Sequence, residues 1–159
     1  MKGLPLVLEV RHASWNVPEL YQGLAEQGVG FVNLDQPLFR GSLRPSAVAT
    51  AAVGYVRIHG RNVRDWFRPD AGRDERYDYL YTAEELAPWA ERARAVAATP
   101  GVADVYVVTN NHFGGQEVAN AAMLRSMIEG RKVPVPPALW TRFADAIGPF
   151  AEPAGPAPA

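Results

Sequence analysis

Four short apolar runs punctuate the sequence, LPLVLEVR at residues 4–11, VGFVNLD at 29–35, GYVRIH at 54–59 and ADVYVVTN at 103–110, and a dozen or more residues separate each from the next. A hairpin needs only a short turn, whereas connections of this length carry the chain back to the same end of a sheet. The spacing therefore predicts about four parallel strands joined by right-handed crossovers. The intervening segments fit helices. Pro18 opens PELYQGLAEQG, whose Leu20, Tyr21 and Leu24 share one face before Gly28 stops it. Thr82 and Glu85 form a T-x-x-E capping box ahead of AEELAPWAERARAVAAT, with Leu86, Trp89 and Ala93 on its core face. Residues 116–129 form a last strong helix, with Val118, Ala122, Met123 and Met127 in register. The crossover at 36–53 is broken by Pro37, Gly41 and Pro45, and only PSAVATAAV within it has weak helical character. After residue 129 a Pro-rich bend leads to a short helix with Trp140 and Phe143. The predicted folded unit covers 1–148. The end of the chain, 149–159, with its AEPAGPAPA, carries too few apolar groups to order and is expected to be a disordered tail.

Side chains alternate across a strand, so each run divides into two faces. On the first, Leu8 and Val10 oppose Glu9 and Arg11; on the second, Val32 and Leu34 oppose Asn33 and Asp35; on the third, Val56 and Ile58 oppose Tyr55, Arg57 and His59. Parallel strands covered by helices on both faces read as continuous apolar runs, so a charged second face points to a crevice or a barrel interior. The expectation is a partial (β/α)-barrel of TIM type that directs Glu9, Arg11, Asp35, Arg57 and His59 into one concavity. Barrels carry their ligand and catalytic groups at the C-terminal strand ends, where Arg11, His12, Asp35, His59, Asn111 and His112 fall.

Composition narrows the partners. Sixteen basic and seventeen acidic residues nearly cancel, so no chain-wide field attracts a nucleic-acid backbone, and nucleic-acid binding is not indicated by net charge. There is no cysteine, which removes thiol chemistry and agrees with a reducing, cytoplasmic location. The first apolar run breaks at Glu9, and no stretch approaches the ~20 apolar residues that span a bilayer.

The segments EVRHASW (9–15), YVRIHGRN (55–62), YDYLYTAEELAPWAERA (77–93) and VYVVTNNHFGGQEVANAAMLRSM (105–127) occur in an order and spacing that resemble the signature blocks of the YecE-like family, domain of unknown function 72. The resemblance covers most of residues 4–129 and implies the C-terminal half of a barrel. Family members also carry an N-terminal half around a Gly-Thr-Ser-Gly-Trp-like start, which is absent from this sequence. The implied partners are that missing half-barrel or a second copy of the chain, and unpaired strand edges would favour either.

Three chemistries compete at the strand ends. In NHFGGQ, Gly114 and the backbone N–H groups at a helix start suit a phosphate or carboxylate, with Arg11 and Arg57 as bidentate donors. A turn is the structural alternative. A metal bound by His12, His59 and His112 is disfavoured by the two arginines, and no metal is assigned. Acid–base work would use Glu9 and Asp35 as paired carboxylates with His59 as proton carrier, although arginine ion pairs would simply neutralise those carboxylates. Trp15 and Trp66 are candidate stacking surfaces. Asn62, Asn110, Asn111, His112 and Asn120, in the blocks just quoted, complete the ligand-binding set. The sequence thus predicts a small anionic ligand and a hydrolase or lyase acting on phosphorylated or sugar-like substrates. The alternative is a non-catalytic binding or nucleic-acid-associated accessory module. No cofactor can be named.

Overall fold

The computed structural model describes residues 4–155. In chain order the elements are β1 (Leu6–Leu8), α1 (Pro18–Glu26), β2 (Val29–Asp35), β3 (Val53–Ile58), α2 (Arg73–Arg76), α3 (Ala83–Ala97), β4 (Asp104–Thr109), α4 (Gln116–Glu129), β5 (Val133–Val135), α5 (Pro137–Ile147) and β6 (Ala151–Pro153). The first four strands form one parallel sheet in the order β1-β2-β3-β4. The α/β fold with four parallel strands and flanking helices is thus as the spacing predicts.

The helices gather on one face of this sheet because their apolar stripes find the apolar parity of β3 there. Val56 and Ile58 are buried in a core with Leu86, Trp89, Ala90 and Ala93 of α3 and Met123 and Leu124 of α4. Thr82 starts α3 with its reciprocal capping box to Glu85. At the other end of the sheet Leu24 of α1 packs with Phe31, which Tyr21 meets edge-on at 5.0 Å. The opposite face is exposed on its edge strands, with Tyr106 of β4 53% and Val7 of β1 38% exposed, while Val32 and Leu34 of β2 are buried.

Partners in a parallel ladder point to the same side, so the register identifies each strand's open face. Leu34 pairs with Arg57 and Arg57 with Val108, whereas Asp35 pairs with Ile58 and Asn33 with Val56. Glu9, Arg11, Arg57 and His59 therefore lie on the open side. The expectation fails on β2, where Val32 and Leu34 face the open side and Asn33 and Asp35 face the helices. The cause is the crossover at 36–52, in which no helix forms. Its backbone needs other partners, and Asn33 supplies them: its amide donates to Val48 O and Tyr55 O, and its carbonyl accepts from Val48 N and the Ser46 hydroxyl.

The C-terminal segment also differs from expectation. Residues 151–153, assigned to a disordered tail, form β6 and pair in parallel with β5 across α5. Ala151 is fully buried and Phe150 packs on the main core. Strands of three residues containing Pro134 and Pro153 carry too weak a period to be read beforehand. Residues 156–159 lie outside the described residues.

Candidate functional site

Where β1 and β3 end, the open face carries a closed ring of hydrogen bonds. Arg57 Nη1 donates to Glu9 Oε2 at 3.0 Å and Arg57 Nη2 donates to Asn110 Oδ1 at 3.2 Å. That second bond fixes the orientation of the Asn110 amide, so its Nδ2 is the group facing His59 Nδ1 at 3.3 Å. Nδ1 must then accept, and the ring proton sits on Nε2, 3.2 Å from Glu9 Oε1. Arg11 Nε donates to the same Glu9 oxygen at 2.8 Å. Selective observation of the His59 ring nitrogens by 15N NMR is expected to show the Nε2–H tautomer, and Asn110→Ala to give a mixture; an unchanged tautomer in that variant would remove Asn110 from this role.

The electrostatics follow from this geometry. Burial alone would push the Glu9 carboxyl up, but the hydrogen bond and charge of His59, together with Arg11, outweigh it and hold the group at about 2. His59 has no exposed surface. Burial pushes its ring toward the neutral form; the bond to Glu9 opposes this and the charge of Arg11 adds to it. At neutral pH the imidazole is therefore uncharged and the carboxylate ionised. Glu9 then offsets only one of the two guanidiniums, which leaves a surplus positive charge. With its proton on Nε2, His59 cannot accept from Arg11 Nη2, 3.3 Å away. The Arg11 side chain is 45% exposed, and its terminal nitrogens meet no acceptor among the described residues.

The long segment after β3 folds over this cluster. Trp66 and Tyr77 lie 5.7 Å apart with their rings near-perpendicular, and each stands within 6.5 Å of the His59 ring. Asn62 shapes that segment, donating to Asp65 and to Glu75 O and accepting from Asp65 N. Two cavities open beside Arg11. One, of about 500 Å³, is bordered by His12, Gln36, Phe39 and Trp66; the other, of about 220 Å³, lies between Tyr77 and Arg76.

Several expected residues stand apart from this cluster. Asp35, 1% exposed, lies across the sheet from Glu9 and holds Arg61 by a two-pronged pair of 2.7 and 3.2 Å, while the Tyr81 hydroxyl donates to it at 2.6 Å. The pairing of Glu9 with Asp35 is thereby corrected. Asn111 and Asn120 are buried in a structural network: Asn111 Nδ2 donates to Tyr79 O and Asn120 Oδ1, and Asn120 Nδ2 donates to Tyr81 O, while Asn111 Oδ1 is left without a partner. His112 stacks on Tyr77 at 5.0 Å and places Nε2 3.2 Å from Asp74. Trp15 is half exposed in the turn Ala13–Trp15. Gly114 does adopt a positive φ of 62°, but the space beside it is taken by Arg142, whose Nη2 lies 2.6 Å from where a Cβ would stand. The histidines do not converge, and among the described residues no group of three His, Cys, Asp or Glu is placed to hold a metal. Nor is any helix among them long and apolar enough to cross a membrane. Gln36 and Phe39 border the larger cavity although no chemical motif marks them; the breaks at Pro37 and Gly41 signal only a loop there.

This architecture has relatives. A family model described as "Protein of unknown function DUF72" matches residues 1–143. The chain is 29% identical over 142 residues to the UPF0759 protein YunF of Bacillus subtilis (strain 168), covering 81% of this chain and 48% of that protein. It is also similar to crystal structures of DUF72 family proteins from Thermotoga maritima, with a TM-score of 0.72, 38% identity and coverage of 80% and 47% of the two chains, and from Enterococcus faecalis, with 0.71, 27%, 80% and 48%. The chain thus spans about half the length of the relatives it matches. As the family model extends over nearly all of the sequence and the four motif blocks fall within it, the chain belongs to the DUF72 family.

Proposed function

We propose that the sheet is part of a (β/α)-barrel of TIM type whose C-terminal strand ends bind a small anionic molecule, with Arg11 and Arg57 supplying charge and His59 available for proton transfer. Barrel closure would cover the open face of the sheet, and the relatives' double length supplies enough chain for it. The observation that carries the anion reading is the half-exposed guanidinium of Arg11. Its Nε is committed to Glu9, its terminal nitrogens meet a donor in His59, and the cavity it borders contains no carboxylate. A low-pKa Glu9 cannot act as a general acid near neutrality. The neutral imidazole can take a proton at Nδ1 once the Asn110 amide is displaced from it, which fits hydrolase or lyase chemistry on a phosphorylated or sugar-like substrate. The absence of cysteine agrees with a cytoplasmic setting.

One observation favours a binding role without catalysis: the ring through Glu9, Arg57, Asn110 and His59 is closed by its own hydrogen bonds, with Arg57 Nε alone in it buried and unpaired. Calorimetric titration with inorganic phosphate and with acetate is expected to give binding that Arg11→Met weakens at least tenfold, with the fold retained by circular dichroism. Equal affinities in the two proteins would remove the proposal. Turnover lost in His59→Gln while binding survives separates catalysis from simple binding.

A further inference from the structure

We infer that the larger cavity takes an oxyanion carried on an unsaturated ring, a substrate class that rests on the anion reading of Arg11 and narrows it. The cavity's volume, about 500 Å³, falls within the range of small-molecule sites. Its walls combine three aromatic rings, Phe39, Trp66 and Phe67, with a donor-rich floor. Phe39 and Phe67 meet at 4.7 Å with planes 53° apart, so they form one continuous aromatic surface rather than two isolated contacts. Trp66 closes the side toward His59, its ring 6.4 Å from the imidazole.

The polar lining carries no carboxylate, and several of its hydrogen-bonding groups are already engaged. The Ser42 hydroxyl is engaged at both ends, donating to Pro37 O and accepting from Phe39 N. The amide nitrogen of Gln36 donates to Arg11 O. His12 Nδ1 accepts from Ser14 N, which leaves the ring proton of the neutral form on Nε2. That edge lies against Gly41, where an added Cβ would stand 2.6 Å from Nε2, so the absence of a side chain at 41 is what lets the imidazole occupy the cavity wall. The guanidinium of Arg11 and the imidazole of His12 thus border an aromatic-walled space without a carboxylate. Such a site matches an acidic group on a flat ring: the guanidinium and imidazole take the oxyanion, and the rings cover the unsaturated body.

Four anions read this directly by calorimetry on the intact chain: acetate and benzoate, inorganic phosphate and phenyl phosphate. Benzoate and phenyl phosphate are expected to bind about tenfold more tightly than their ring-free counterparts, the gain expected from one or two aromatic contacts. Trp66→Ala and, separately, Phe67→Ala should each shrink the benzoate-to-acetate and phenyl phosphate-to-phosphate affinity ratios; Phe67 is 71% exposed, so its truncation removes little core packing. Benzyl alcohol should bind more weakly than benzoate. Equal affinities across each pair overturn the ring preference and leave the anion reading standing. Failure of all four to bind removes both, and benzyl alcohol binding as tightly as benzoate overturns the requirement for an oxyanion.

Discussion

Replacing Asp35 by alanine is expected to lower the folding free energy by about 3–5 kcal/mol, read as a large drop in the urea midpoint. The carboxylate is almost wholly enclosed and is the acceptor for two Arg61 nitrogens and the Tyr81 hydroxyl. Removing it strands all three donors on the helix-covered side of the sheet. Arg61 retains Glu85, but at 3.3 Å and through a different nitrogen, so the loss is only partly relieved. The Tyr81 phenol is pushed up by its burial and by the Asp35 charge, and it also accepts from Gly60 N. It would then lose the acceptor that orients it. Because a domain's whole stability is only about 5–15 kcal/mol, this single change should bring the chain close to unfolding. A companion variant carrying both Asp35→Leu and Arg61→Met removes the charges together and is expected to recover much of the loss. A drop below about 1 kcal/mol for Asp35→Ala would show that this network does not support the fold.

Acid should destabilise the protein in two stages, and Glu9→Gln should abolish the lower one. The folded-state value of Glu9 is about 2, against an ordinary 4.5, so the unfolded chain binds the proton more readily. The associated stability is complete above pH 4.5 and disappears as the pH falls toward 2. The gap sets only an upper limit on the contribution at neutral pH, where the His59 charge that supplies part of it is absent and solvent screens the half-buried carboxylate. His59 acts in the same direction at higher pH. Its folded value lies below the ordinary 6.5, so its contribution is complete above that pH and declines as acid forces a proton onto a buried ring flanked by two guanidiniums. Denaturant midpoints measured from pH 8 down to pH 2.5 test both. In Glu9→Gln the slope below pH 4.5 should flatten, and a curve parallel to the wild type over that range would rule out the assignment.

The period of two along β1 and β3 located Glu9, Arg11, Arg57 and His59 correctly because both strands put their polar parity on the open side. The same period misplaced Asp35. Alternation states which residues share a face, and only the covering elements decide which face is buried. On β2 the deciding fact was the crossover's failure to form a helix, which turned the polar parity inward as a scaffold for unpaired backbone. Four motif blocks were enough to place the chain in its family. The aromatic roof was partly legible: Trp66 was a candidate stacking surface and Tyr77 opens one of the motif blocks, whereas Phe39 joins them only because the segment after β2 folds back over the strand ends, a long-range consequence that no local pattern encodes. Asn111 and Asn120 looked like ligand groups from sequence because a buried amide that ties a loop to a helix has the same local signature as one that waits for a substrate.

The Asn33 side chain bonds Val48 on the crossover and Tyr55 on β3 with one amide. Ordering of an otherwise helix-free connection is thereby coupled to the docking of its neighbouring strand. Neither can open without releasing the other, so this part of the molecule behaves as one cooperative unit in exchange with solvent even though it has no helix to hold it. A loop's rigidity here is inherited from a strand.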